Sequence, residues 1–177
     1  MRQFGIWLLL LPAVQTVTAP KIPDSPGVYY MQNNGNWRAL TVAAGAKTTT
    51  RGLDLFVETG GYTNLETDVV CPGARAETRI SNPRPTFYAR GVGTPANAIL
   101  IELTRKKESR TFHKSSANAT VENKIGVRKS AVRQTTVTSY PGGIFSITPE
   151  ANLKPGEYLL ILGDASTSFD FGIDRKR

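Results

Sequence analysis

The chain holds one thiol, Cys71, and one imidazole, His113. A thiol–imidazole nucleophile works only when the two groups touch and a third group orients the base. Nothing in the spacing brings them together. Cys71 precedes Pro72-Gly73 and reads as a buried, inert thiol beside a turn. His113 reads as a surface strand residue in a basic hairpin, where neighbouring cations disfavour its protonated form. Zinc needs several Cys or His ligands, and one of each does not make a site. Asp164, Asp170 and Asp174 fall close together near the end of the chain. No calcium-type loop surrounds them, so they read as carboxylates on a solvated face. A carboxylate pair for glycoside hydrolysis must face across a cleft, which spacing alone does not establish. There is no glycine-rich phosphate loop, nucleophile elbow or HExxH. The expectation is a non-enzymatic chain with no cofactor and no metal. A hydrolase with an unrecognised site is the alternative.

Charge is the more informative chemistry. Residues 105–133 hold nine Lys and Arg against two Glu, a net of +7 in a chain of formal charge +8. The rest of the chain beyond Arg2 is therefore balanced. A neutral body with one basic segment points to a local anionic contact. The candidate contact residues are Arg105, Lys106, Lys107, Arg110 and Lys114 in one hairpin, with Arg128, Lys129 and Arg133 from the following strand. Their partner would be an anionic envelope polymer, lipid headgroups or an acidic protein, and nucleic acid is disfavoured outside the cytoplasm. The structural alternative is a solvated lysine-rich loop with no partner. A carbohydrate platform is a further alternative, because Tyr29, Tyr30 and Trp37 share the first hairpin; there the competing reading is core packing. Asn118-Ala119-Thr120 matches a glycosylation sequon, relevant only in a eukaryotic secretory route.

The elements that would position these residues are strands. Ile144–Ile147 suits a pleated strand, and Glu157–Leu162 is apolar on both faces, which places it inside a sheet covered twice. Phe169, Phe171 and Ile173 alternate with Asp170, Gly172 and Asp174, which predicts one wet face. Between the first two runs, Leu153-Lys154-Pro155-Gly156-Glu157-Tyr158 has the layout of a tyrosine corner. Leu153 plugs the core, Gly156 lets the chain turn, and the Tyr158 hydroxyl reaches back to a main-chain group upstream. An ordinary hairpin with a buried tyrosine is the alternative. Gly27–Met31 and Trp37–Val42 flank Asn33-Asn34-Gly35-Asn36, a strong hairpin signal.

Elsewhere, Thr86–Arg90, Ala98–Leu103 and Arg110–Lys114 read as strands, and Val127–Tyr140 as a strand with a bend. Asn82-Pro83-Arg84-Pro85 is extended, at an edge or between sheets. Residues 43–82 are the least patterned. Leu53–Val57 fits a strand or one helical turn, and Glu66–Val70 and Ala74–Ile80 fit short strands. Ser115–Gly126 reads as a polar loop.

Residues 1–19 have the form of a signal peptide: Arg2, then an apolar run too short to span a bilayer comfortably, then Val17-x-Ala19. Pro20 hinders cleavage directly after Ala19, so either the cut falls earlier or the segment stays as an anchor. No later run is long enough for a membrane helix. A lead-in follows at 20–26, one domain at 27–174 and a basic tail at 175–177. A single cysteine allows no internal disulfide, so packing must hold the domain. Eight to ten short strands and no helix predict an all-β, immunoglobulin-like antiparallel sandwich, with a closed barrel as the alternative.

The segments GVYY…GNWRAL, RP-x-FY, AILIELTRKKESRTF and LKPGEYLLIL…FDFGID resemble a group of small exported β-rich proteins of acidobacterial type. In that group a signal peptide precedes one domain that ends in a similar PGEY…DFG segment. The likeness is clearest at the C-terminal end and does not include residues 43–82. It implies export and a β-sandwich, and brings no catalytic residue with it. The expected role is a secreted or periplasmic binding or structural module of the cell envelope with a basic contact surface.

Overall fold

Glu157–Leu162 has apolar side chains on both faces, and a strand of that kind is stable only where both faces are covered. The computed structural model shows how this is done. It describes residues 18–43, 47–51, 65–116, 129–163 and 167–175. In chain order the strands are β1 (Gly27–Met31), β2 (Trp37–Ala39), β3 (Lys47–Arg51), β4 (Leu65–Pro72), β5 (Arg79–Ile80), β6 (Phe87–Arg90) and β7 (Ala98–Arg105). They continue as β8 (Ser109–Ser116), β9 (Val132–Arg133), β10 (Thr135–Tyr140), β11 (Ile144–Pro149), β12 (Gly156–Leu162) and β13 (Ser168–Ile173). The helical elements among the described residues are two short 3-10 turns, Pro95–Asn97 and Lys129–Ala131.

The strands form two sheets that pack as a sandwich and do not close into a barrel. One has the order β10-β11-β6-β1-β2; the other runs β3-β4-β8-β7-β12-β13-β5, with β9 alongside β7. Pairing is antiparallel except for β13 with β5. The main core lies between the sheets. Tyr158, Leu160, Leu162, Phe169, Phe171 and Ile173 meet Val28, Tyr30, Phe87, Ala89 and Ile147 from the opposite sheet. Phe87 and Phe171 touch across the interface with centroids 4.8 Å apart. Each such fully buried large side chain contributes about 1.5–3 kcal/mol by leaving water.

The other face of β12 is covered by its own sheet. β8 pairs with β7 only at Thr104↔Thr111 and Arg105↔Arg110, then continues with β4. Phe112 of β8 and Cys71 of β4 pack on Ile101, Leu103, Leu159 and Ile161. The expected return of Arg110–Lys114 onto the preceding strand is thus confined to its first positions. Of the expected Val127–Tyr140 strand, Val127 and Arg128 lie outside the described residues and Lys129–Ala131 is a 3-10 turn; the strand begins at Val132 and is bent, with β9 pairing with β7 in one sheet and β10 with β11 in the other. The bend falls at Gln134, whose carbonyl accepts from Glu150 N at 3.0 Å. Asn82–Pro85 carries the chain from β5 to β6, between sheets, and the Pro83 carbonyl accepts from Leu153 N at 2.7 Å. Ala74–Ile80 yields strand only at Arg79–Ile80. Leu53–Val57 lies outside the described residues.

The corner at Tyr158 is present. Its ring is fully buried, its hydroxyl donates to the Lys154 carbonyl at 2.8 Å, and Leu153 is buried beside it. Gly156 is not in the left-handed region, and a Cβ there would sit 3.6 Å from the Tyr158 ring, an ordinary contact. Its freedom of φ is therefore not what turns the chain, and Pro155 is the fixed element. A second corner stands on the other sheet. Ser25-Pro26-Gly27-Val28-Tyr29 repeats the Pro-Gly-x-Tyr spacing, and the Tyr29 hydroxyl donates to the Ser25 carbonyl at 2.9 Å. The lead-in segment packs down here, with Ile22 buried against Tyr29 and Ile144.

Tyr158 also sets a pH dependence. Burial, and then the Glu102 carboxylate, push its hydroxyl up to about 12. An unfolded tyrosine titrates near 10. Above about pH 10 the unfolded chain loses this proton first, so stability falls as pH rises towards 12. Tyr158→Phe should cost about 1 kcal/mol at neutral pH and flatten the fall in urea midpoint between about pH 10 and 12. Parallel falls in wild type and variant would assign the alkaline sensitivity elsewhere.

Candidate functional site

Local register explains where the ionisable residues end up. On the back of the second sheet, Glu157 lies opposite Gly172, and Gly172 lies opposite Arg79. Gly172 leaves a gap in that row. The Arg79 guanidinium fills it, and a Cβ at Gly172 would collide with that guanidinium. Arg79 thereby reaches Glu157 at 2.6 Å and Asp174 at 2.7 Å. Glu157 is 4% exposed and also accepts from Ala76 N at 2.7 Å. One step along, Asp170 is buried and pairs with Arg110, itself 3% exposed. Arg110 further donates to the carbonyls of Gly73 and Pro72, at 2.9 and 2.7 Å. Arg75 adds a pair to Asp174 at 3.0 Å. Three guanidiniums thus face three carboxylates.

This arrangement corrects two expectations. β13 has no wet face: all six of its residues are buried. Asp170 is not a solvated carboxylate, and Asp174 is held in ion pairs. The β4–β8 cover excludes water from that face, and a buried carboxylate persists there because a guanidinium comes with the cover. Asp164 lies outside the described residues.

The same geometry takes the basic segment apart. Arg110 is internal and unavailable to a partner. Arg133 pairs with Glu102 on β7, where the two line a cleft of about 310 Å³ with Thr104 and Ser130. Arg128 lies outside the described residues, as do the side chains of Lys114 and Lys129. Arg105, Lys106 and Lys107 remain exposed at the tip of the β7–β8 hairpin, closed by Lys106 N donating to Ser109 O at 2.7 Å. Elsewhere, the arginines at 75, 79, 90, 110 and 133 each meet a carboxylate.

Cys71 is 1% exposed, across from Arg110 in the ladder. Burial pushes its thiol up; Arg110 opposes this and Asp170 reinforces it. The register sets His113 across from Asp68, three steps from the Cys71 row or about 10 Å along the strands. A nucleophile and its base need about 3 Å, and the ladder does not bring these two together.

The aromatic platform also changes members. Tyr29 and Tyr30 are both buried, on opposite faces of β1. Trp37 is half-buried and meets Tyr88 edge-on at 5.3 Å, and Tyr88 meets Tyr140 at 6.5 Å. These rings cover one another and the Tyr29–Ile144 cluster rather than lying coplanar for a sugar to stack on. Sequence reading overlooked the Arg79–Glu157 pair. Its one signal was a glutamate opening an otherwise apolar strand.

Asp170→Ala should cost about 3–5 kcal/mol, because it leaves Arg110 buried without a counter-charge, while Asp170→Leu with Arg110→Met should recover most of the loss. Equal urea midpoints for the single and double variants would contradict this. The hydrogen bond from Arg79 holds the Asp174 carboxyl below the usual carboxylate range. Its stabilising share is present above about pH 4 and is lost as pH falls through the lower folded value. The share is small, because this carboxylate is partly exposed. Cys71 should resist alkylation by iodoacetamide at neutral pH until urea unfolds the chain; rapid native labelling would overturn its buried, protonated state.

No helix among the described residues is long and apolar enough to cross a membrane. No family model matches the chain, and neither a curated protein nor a solved structure does.

Proposed function

We propose that this chain is an exported, non-enzymatic binding module of the cell envelope whose contact is the tip of the β7–β8 hairpin. One observation carries the reading. The fold neutralises its arginines at 75, 79, 90, 110 and 133 with carboxylates, yet keeps Arg105, Lys106 and Lys107 together, exposed and in no ion pair among the described residues, with Glu108 next in the turn. Contiguous exposed cations on a short turn attract an extended anionic surface, and salt screens that attraction within about 10 Å. Acidic polysaccharide and anionic headgroups have the matching chemistry outside the cytoplasm. The paired carboxylates of the buried cluster support a structural role for it. The signal-like N-terminus and the sequence resemblance support export.

Each exposed cation near an anionic surface contributes about 1 kcal/mol. Replacing Arg105, Lys106 and Lys107 with Gln should therefore weaken binding to polygalacturonate or to phosphatidylglycerol vesicles by about two orders of magnitude at low salt. The urea midpoint should stay unchanged. Binding that survives this triple change, or that is insensitive to salt, would refute the contact.

A further inference from the structure

Sheets that do not close leave edge strands, and an edge bares a row of main-chain N–H and C=O groups that another strand can pair with. Among the described residues, one sheet ends in β10 and β2 and the other in β3 and β5. Three of these four ends are blunted. β5 is two residues long. β2 is three residues long and carries the exposed Arg38 at its centre. β3 begins with Lys47 and ends with Arg51. Short edges and edge cations keep sheets from joining.

β10 has none of these devices. It is six residues long, Thr135-Thr136-Val137-Thr138-Ser139-Tyr140, with no charge, proline or glycine. Val, Thr and Tyr favour a pleated strand. The ladder with β11 runs one to one from Thr135↔Pro149 to Tyr140↔Ile144, so no bulge turns the edge away. Val137 packs on the core between the sheets, and Tyr140 packs against Tyr88 on the other face. The strand is therefore held in place on both faces, and no strand among the described residues pairs with its outer edge.

Charge selects the occupant. The chain carries a formal +8, which opposes the meeting of two copies across most of the surface. β10 and its neighbour β11 hold no charged residue at all. This margin offers nothing to an anionic partner, yet two copies meet along it without opposing like charges. An antiparallel pairing about a two-fold axis sets only Thr, Val, Ser and Tyr of one β10 against the same residues of the other. Thr–Thr and aromatic–β-branched neighbours are favourable cross-strand pairs. We infer that the outer edge of β10 pairs with β10 of a second copy of this chain, so that the two five-stranded sheets run on as one. The contact consumes both unblunted edges and closes at the dimer. It lies on the sheet that does not carry the basic hairpin tip and does not depend on that contact.

Edge pairing buries little area, so the dimer is weak, with a dissociation constant of about 10 μM. Sedimentation of the full chain between about 1 and 500 μM, in about 0.15 M salt, should show monomer giving way to dimer and nothing larger. Over the same range the Thr135–Tyr140 amides should gain about tenfold protection from hydrogen exchange. Thr136→Lys with Ser139→Lys, both at exposed positions, should weaken the dimer at least about tenfold and leave the urea midpoint at about 1 μM unchanged. Met31→Lys with Ala39→Lys adds the same charge at exposed positions on the opposite margin and should dimerise as wild type does. The Gln triple variant at 105–107 should also dimerise normally, which separates this contact from the anionic one. Three results would overturn the inference. A chain monomeric throughout with unprotected β10 amides would leave the edge to a different protein. A dimer that survives the two β10 lysines would place the contact elsewhere, as at the apolar N-terminus. Full protection of these amides already at about 1 μM would assign the edge to another part of the same chain.

Discussion

The structure depends on a strand that has to be hidden on both sides. β12 sends Tyr158, Leu160 and Leu162 into the core between the sheets, and Leu159 and Ile161 to the other face. An ordinary two-layer sandwich leaves that second face to water, where those aliphatic side chains would forfeit about 1.5–3 kcal/mol each. The β4–β8 pair answers this by parting from β7 after two positions and laying Phe112 and Cys71 over the exposed side. This cover from within the same sheet is a consequence of the apolar pattern of β12 and β7.

Covering that face also decides the electrostatics. Once Phe112 is in place, its neighbour two residues back must lie under the same cover, and that neighbour is Arg110. A buried guanidinium is tolerated only with a counter-charge and satisfied donors. Asp170 supplies the charge, and the carbonyls of Pro72 and Gly73 take further donors. The row through Glu157, Gly172 and Arg79 follows the same logic, with the missing side chain of Gly172 serving as the channel through which Arg79 crosses β13. Charges consumed in this way are unavailable to a partner. Arg105, Lys106 and Lys107, at the hairpin tip, lie too far out to be covered and stay exposed.

The two tyrosine corners act on the backbone instead. Each ties a strand start to the chain four residues upstream, one at β1 and one at β12, so each sheet is anchored at a bend. The corner at Tyr29 holds the first hairpin.

Local patterning was enough to read the strand class, the Asn-Gly hairpin, the doubly buried β12 and the corner at Tyr158. Each of these rests on residues within a few positions of one another: a period of two, a proline fixing φ, a tyrosine a few residues after a bend. The second corner was equally legible in the recurrence of Pro-Gly-x-Tyr. The fate of the charges was not. Arg110 and Asp170 are 60 residues apart, and Arg79 and Glu157 are 78 apart. A charged residue in a strand looks solvated until the element that covers it is known. Which face is covered depends on where β8 leaves β7, a property of long-range pairing that period and composition do not encode. The sequence determined which segments become strands, because that is settled by side chains against their own backbone; the tertiary structure alone decided which charges lie inside, because burial is set by neighbours distant along the chain.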